Sequence, residues 1–295
     1  MRTGKQEQEV ISKLIQWAQE REDIRAMVLT SSRTNPKAQL DMFSDFDVIV
    51  IVRDIHPFLE DESWLSSFGK VLVVYRDPVQ LEYGFERFCR VTHYEDGTKI
   101  DYTVWPTELL QHIVKEPKLP AYLDNGYEIL LDKDRLTEHL KTPTYTAYIP
   151  TPPSEKDYLT TIEEFFNDAI YVAKNVFRGN LFITKLCLDH IMKEECLRKM
   201  LEWQMEIDHG WALTTGAHGK GLRQHVDPEV WTALESTYVG AGHEENWQAL
   251  FTTISVFRKV ASEVADHLGY SYPQDLDDEV VKYLREIKNV TKSVY

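Results

Sequence analysis

Ser44-Asp45-Phe46-Asp47-Val48-Ile49-Val50-Ile51-Val52 is the stretch on which the reading of this chain turns. Two carboxylates stand two residues apart and run directly into an apolar segment. Alternate residues of an extended strand point to one face. The spacing therefore predicts that Asp45 and Asp47 project together from the start of a buried strand. Like charges held that close oppose one another's ionisation unless a cation lies between them. The economical occupant is a divalent metal on oxygen ligands, shared with substrate phosphates as Mg²⁺ commonly is. For an Asp-x-Asp taken alone, the competing reading is a turn cap beside a solvated side chain. The surrounding residues decide between the two.

Upstream, residues 5–20 place Val10, Ile11, Leu14, Ile15 and Ala18 at helical spacing. Ile24 to Thr30 reads as a strand, and Ser31-Ser32-Arg33-Thr34-Asn35-Pro36 as a polar turn entering a loop. Downstream, residues 57–68 predict a helix and Val71 to Tyr75 a second buried strand. Arg87 to Tyr94 and Thr98 to Trp105 flank Glu95-Asp96-Gly97, a hairpin signature. The second arm carries Asp101, on a face shared with Lys99 and Thr103 and opposite Ile100, Tyr102 and Val104. A wet edge strand would account for Asp101 equally well at this point. Residues 106–115 read as a short helix and Tyr127 to Leu131 as an edge strand.

Residues 142–153 contain four prolines and no helical period, which marks a linker. Beyond it the chain turns helical. Ser154 caps a helix with Tyr158, Ile162, Phe165, Phe166, Ala169, Val172, Ala173 and Val176 as its apolar positions, and Gly179 ends it. Leu181 to about His209 supplies one or two more helices. Asp227-Pro228 opens another over 228–237. Glu244 to Leu268 and residues 277–289 read as the last two. The expectation is an α+β protein. Residues 1–141 form a mixed β-sheet domain with flanking helices, 142–153 a linker, and 154–295 an α-helical bundle.

A hydrophobic content of 43% is enough for cores in both halves. The formal net charge of −15 argues against a nucleic-acid backbone or an anionic membrane as partner. It suits a cationic small molecule, and equally plain solubility. Cys89, Cys187 and Cys196 form no CxxC pattern, so a reducing cytoplasm fits better than a disulfide framework. Met1 to Glu9 lacks an apolar signal core, and no run of about 18 apolar residues is present to span a membrane.

Taken together, the N-terminal pieces are a strand ending in small residues, a loop, Asp45 and Asp47 on the next strand, and Asp101 on a later one. Three such carboxylates can hold one or two divalent ions that align an α-phosphate and neutralise a pyrophosphate leaving group. Small residues at the turn let backbone N–H groups approach phosphate oxygens. The arrangement resembles the DNA polymerase β-like nucleotidyltransferases, whose signature is a Gly-Ser turn, an Asp-x-Asp and a distant acid. Within them it is similar to the aminoglycoside 6-adenylyltransferases, which modify streptomycin. Met1-Arg2-Thr3, Ser32-Arg33-Thr34-Asn35-Pro36 and Ile100-Asp101 carry the likeness in the first half. Leu188-Asp189-His190, Trp247-x-Ala249-Leu250, Phe257-Arg258-x-Val260 and Leu268-Gly269-Tyr270-x-Tyr272-Pro273 extend it over nearly the whole chain.

The resemblance implies ATP as donor, the 6-hydroxyl of streptomycin or a related cationic aminoglycoside as acceptor, and pyrophosphate as the other product. It implies Asp45 and Asp47 as Mg²⁺ ligands, and Asp101 as either a third ligand or the proton acceptor. Ser31, Ser32 and Arg33 would face the nucleotide in a cleft between the domains. Ser31 stands where the superfamily has glycine, a residue that permits close backbone approach and an unusual φ.

Lys185 and Asp189 lie four apart on one helix face. One reading places Lys185 near nucleotide phosphates and Asp189 against a guanidinium of the acceptor; the other is an exposed ion pair of small energetic weight. Gly216-Ala217-His218-Gly219-Lys220-Gly221 is not a P-loop, because no Ser or Thr follows Lys220 and no strand precedes it. Lys220 remains a candidate for reaching the triphosphate. The family carries lysines in this loop, one of them at the position of Ala217. Trp203, Trp211, Trp231 and Trp247 read as packing residues. Two rivals stay open: the same chemistry on a different acceptor, such as another sugar alcohol or a protein side chain, and a catalytically silent nucleotide-binding protein. The oligomeric state is not specified by the sequence.

Overall fold

The alternation in Phe46-Asp47-Val48-Ile49-Val50-Ile51-Val52 builds a strand with two buried faces. In the computed structural model, which describes residues 4–38, 40–213 and 217–292, this segment is an interior strand of a seven-stranded sheet. Met1-Arg2-Thr3 and Gly216 lie outside the described residues. Contacts divide the chain into two units, Met1–Tyr148 and Ile149–Tyr295.

The first unit runs α1 (Gly4–Gln19), β1 (Ile24–Thr30), β2 (Phe46–Val52), α2 (His56–Glu60), β3 (Val71–Arg76) and β4 (Gln80–Glu82). It continues with β5 (Phe85–Tyr94), β6 (Lys99–Pro106), α3 (Thr107–Lys115), α4 (Ala121–Asp124) and β7 (Tyr127–Asp132). Strand order is β3-β5-β6-β2-β1-β7, with β4 hung on β5. All pairings are antiparallel except β2 with β6. The β5–β6 hairpin forms as its Asp-Gly turn predicts, with Gly97 at φ 80°.

Each face of the sheet has its own core. Phe46, Val48, Val50, Ile100, Tyr102 and Val104 are buried together with Leu14 and Ala18 of α1. Ile49, Ile51 and Trp105 are buried on the other face with Leu109, Leu110 and Ile113 of α3 and Leu123 of α4. By alternation Asp47 belongs to the second face, beyond the part that α3 and α4 cover.

Two expectations need correction. Val71–Arg76 is a strand, but it lies at one edge of the sheet: Val71 and Val74 pack half-buried against the core, while Leu72 and Tyr75 are exposed by 67% and 63%. Apolar composition marks a strand without saying how many faces are covered. Residues 57–68 do not form one helix. Helix α2 ends at Glu60, Asp61 accepts from the Ser63 amide, and a tight 3₁₀ segment Ser63–Phe68 buries Trp64, Leu65 and Phe68. The edge strand read at Tyr127 is present, and β6 is interior, so Asp101 does not sit on a wet edge.

In the second unit, α5 (Glu155–Phe177) opens with a reciprocal capping box between Ser154 and Asp157. Next come α6 (Leu181–Lys185), a π-helical stretch Leu186–Leu197 and α7 (Arg198–Asp208). The remaining helices are α8 (Pro228–Glu235), α9 (His243–Leu268) and α10 (Gln274–Lys292). Asp227 caps α8 by accepting from the Glu229 and Val230 amides. Phe165 and Phe257 stack with centroids 3.6 Å apart in the core. Arg258 and the Tyr272 hydroxyl both donate to Asp277, whose side chain is fully buried. The Arg258 and Tyr272 motifs read from the sequence thus have structural work. No helix among the described residues is long and apolar enough to cross a membrane.

One glycine ties the loop after β1 to the turn before β7. Gly126 has φ +123°, and a Cβ there would lie 2.7 Å from the Thr34 carbonyl oxygen. Asn35 donates to Asn125 at 2.8 Å beside it. Gly126→Ala is therefore expected to lower stability by about 1–3 kcal/mol, read as a shift in the urea midpoint at unchanged slope.

Candidate active site

Strand β1 ends at Thr30 and the chain turns at once. Ser31 adopts φ 67°, left-handed backbone that costs a residue with a Cβ roughly 1 kcal/mol. A single 3₁₀ turn over Ser31–Arg33 follows, closed where the Thr34 amide and hydroxyl donate to the Ser31 carbonyl at 3.1 and 3.0 Å. Thr30 pairs with Asp47 across the β1–β2 ladder, which brings the Ser31 hydroxyl to the Asp47 carboxylate as a donor. Ser32 lies half-buried in the same turn.

The parallel β2–β6 register sets Asp47 directly beside Asp101. Adjacent strands run ~4.8 Å apart, so the two carboxylates share one patch of the sheet. Asp45 joins them through Lys99. Its Nζ stands 2.6 Å from Asp45 Oδ2 and 3.0 Å from Asp101 Oδ2. Asp45, Asp47 and Asp101, picked out from separate parts of the sequence, are brought together. Lys99, read only as a neighbour on the Asp101 face, proves to be the cation among them.

The electrostatics follow from burial and crowding. Burial, then the neighbouring Asp101, pushes Asp47 up to about 6, against the Ser31 hydrogen bond that favours its charged form. Burial also raises Asp101, with the Lys99 hydrogen bond opposing. Burial works against the Lys99 charge, but its bonds to Asp45 and Asp101 outweigh this and hold the ammonium above its usual range. Cys89 lies on β5 opposite Thr103; burial pushes its thiol up to about 11, which leaves it protonated at neutral pH and unsuited to nucleophilic work.

No group of three or more acidic, histidine or cysteine side chains among the described residues forms a ready-made metal cage. The donor chemistry nevertheless suits a hard divalent cation, since Asp47 is in register with Asp101 and Lys99 links Asp101 to Asp45. Asp101 Oδ1 is moreover buried without a hydrogen-bond partner. A buried carboxylate oxygen left unmatched is costly, and a cation would satisfy it.

Arg33 is placed differently from the sequence expectation. Its Nε and Nη2 donate to the carbonyls of Asp45 and Ser44 at 2.7 Å each, and its Nη1 pairs with Glu7 at 2.8 Å. The guanidinium also stacks 3.8 Å above the Phe46 ring. Arg33 thus holds the loop that delivers Asp45 and presents no free cation.

In the second unit Lys185 and Asp189 do meet, at 2.7 Å, within a larger network. Lys185 also donates to the Val239 carbonyl at 2.9 Å. Lys193, one turn further on and fully buried, bonds Asp189 and the Thr237 carbonyl at 2.7 Å each and lies 4.2 Å from the Tyr238 ring centroid. Burial lowers Lys193, with the Asp189 hydrogen bond opposing. Asp189 is therefore bracketed by two ammonium groups on a π-helical stretch, a geometry common at functional sites. Lys193 escaped the sequence reading because its role depends on burial. Lys220 is exposed beyond the Ala217–Gly219 turn, and no described contact joins it to Lys185 or Asp189. Trp203 and Trp247 are core residues, and Trp211 and Trp231 pack against that core.

Comparison with known proteins identifies the family. The family model for streptomycin adenylyltransferase matches residues 4–287. The curated aminoglycoside 6-adenylyltransferase of Bacillus subtilis (strain 168) is 30% identical over 285 residues, 95% of this chain and 97% of its own length. That of Campylobacter jejuni is 31% identical over 280 residues, 94% of both chains. The crystal structure of an aminoglycoside 6-adenyltransferase from Bacillus subtilis aligns over 98% of this chain and 99% of its own, with 26% identity and a TM-score of 0.47.

The raised Asp47 makes a linkage prediction for the metal-free protein. The folded state holds this proton up to about pH 6, whereas the unfolded chain releases it near 3.9. Its contribution to stability is complete below the lower value and is lost as pH rises through the upper one. With chelator present, urea unfolding of the wild type should show this loss between about pH 4 and 6. Asp47→Asn should flatten the profile and be more stable at pH 7, by on the order of 1–2 kcal/mol.

Proposed function

The chain belongs to the streptomycin adenylyltransferase family, and from that premise we propose that it transfers AMP from ATP to a hydroxyl of streptomycin or a related aminoglycoside, releasing pyrophosphate. The observation that carries the proposal is the alignment of Asp47 with Asp101 on parallel strands, with Asp45 joined to them through Lys99. Adenylyl transfer requires anionic groups to be positioned against a triphosphate, and such a patch does this once a divalent ion accompanies the nucleotide.

Asp45 and Asp47 are the residues assigned to hold Mg²⁺, which when bound supplies charge neutralisation at the phosphates. Asp101, with Oδ1 buried and unpartnered, is assigned the proton of the acceptor hydroxyl as that oxygen approaches the α-phosphorus. The turn Ser31–Arg33 brings backbone amides to the same strand ends, where the triphosphate would lie. Rate enhancement then comes chiefly from alignment and preorganised charge. The net charge of −15 assists by drawing a cationic acceptor toward the protein.

Pyrophosphate release from Mg·ATP tests the reading. Release that depends on streptomycin and disappears in Asp47→Asn is expected. ATP binding by calorimetry with no release on streptomycin, nor on other aminoglycosides, would mean a silent homologue or a different acceptor. The role of Asp101 has its own test. Asp101→Asn should lower kcat by about 100-fold or more while binding Mn²⁺ as the wild type does. Loss of Mn²⁺ binding would make Asp101 a ligand, and near-normal turnover would remove it as the base.

A further inference from the structure

Lys99 is not required by the family reading, yet it contacts two of the three carboxylates of the cluster. Its Nζ lies 2.6 Å from Asp45 Oδ2 and 3.0 Å from Asp101 Oδ2, with the side chain 23% exposed. Of the two aspartates it bridges, Asp45 lies just before β2, 54 residues away in sequence, and Asp101 lies two residues on along β6. The stem of a lysine carries four flexible carbons and a point charge, so the ammonium can leave one position for another without disturbing β6. Asp101 offers its other oxygen, Oδ1, buried and without a partner.

A divalent ion approaching Asp45 and Asp47 meets this ammonium at Asp45. Within about 4 Å, like charges at a protein surface repel by several kcal/mol, so the two cations cannot share the same carboxylate oxygens. The doubly charged ion binds the hard oxygens more strongly, and Lys99 must turn away. A triphosphate arriving with the metal would offer the displaced ammonium a new anionic partner.

Building on the nucleotidyltransferase reading, we propose that Lys99 is the resident counter-ion of the carboxylate cluster. It holds Asp45 and Asp101 together before substrate arrives, yields Asp45 to the divalent ion, leaves Asp101 free to take a proton, and passes its charge to the nucleotide phosphates. Lys99 is a positioning residue for metal entry and becomes a phosphate contact afterwards. Its presence weakens binding of the bare ion and strengthens binding of the metal–nucleotide complex, so bare metal is disfavoured until nucleotide comes with it.

The test measures Mn²⁺ alone and Mn·ATP separately on the intact chain, by electron paramagnetic resonance of free Mn²⁺ and by calorimetry without acceptor. Lys99→Met should bind Mn²⁺ about tenfold more tightly and Mn·ATP about tenfold more weakly. Lys99→Arg, which keeps the charge, should follow the wild type in both. Should Lys99→Met not fold by circular dichroism, Lys99→Gln carries the same expectation. Unchanged or weaker Mn²⁺ affinity on loss of the charge would overturn the proposal. If that affinity is nevertheless lost in Asp47→Asn, the metal reading survives without Lys99. Absence of Mn²⁺ binding in the wild type and in both neutral variants would overturn the two together.

Discussion

The parallel pairing of β2 with β6 is the constraint from which the rest of the first unit follows. All the other strand pairs are antiparallel. In this one pair Asp47 faces Asp101, Val48 faces Tyr102 and Val50 faces Val104. The register is held by apolar burial, because Val48, Val50, Ile100, Tyr102 and Val104 fill one core and Ile49, Ile51 and Trp105 the other. A slip of β2 by one residue would exchange its faces and drive Asp47 into the core under α1, away from Asp101. The chemistry of the site is thus fixed by side chains that take no part in it.

Crowding three acids has a cost, and the structure offsets it with nearby cations and donors. Lys99 neutralises Asp45 and Asp101, and the Ser31 hydroxyl serves Asp47. Asp47 still remains well above the ordinary carboxylate range, so the cluster is only partly compensated in the protein alone. The second unit treats Asp189 differently. Lys185 and Lys193 meet its two oxygens, and Lys193 is fixed in turn by the Thr237 carbonyl and the Tyr238 ring. That network is satisfied from within. A site held short of compensation has affinity left for a cation, and a satisfied one has less.

What the sequence made legible follows from which interactions are local. Strand alternation, the Asp96-Gly97 turn, the Ser154 box and the Asp227 cap are short-range signals, and each appears in its place. The common face of Lys99 and Asp101 was legible for the same reason. Edge or interior position was not, since Val71–Arg76 and Phe46–Val52 are both apolar runs that differ only in what the chain folds over them. Nor was the π-helical stretch Leu186–Leu197, which the sequence marks only as part of a helical region. Arg33 and Lys185 were visible as cations, but their partners include the carbonyls of Ser44, Asp45 and Val239, which no side-chain pattern announces.

Ser31 shows how a departure from a pattern is absorbed. The position demands left-handed backbone, which glycine adopts freely. Serine at φ 67° accepts the strain and brings a hydroxyl that glycine lacks. That hydroxyl donates to Asp47, the most burdened of the three acids, and favours its ionised form. A hydrogen bond to a charged group contributes about 1.5–3 kcal/mol, comparable to or larger than the backbone cost of roughly 1 kcal/mol. The substitution therefore need not be a loss. It turns a position that glycine would leave bare into one whose hydroxyl favours the charged state of Asp47.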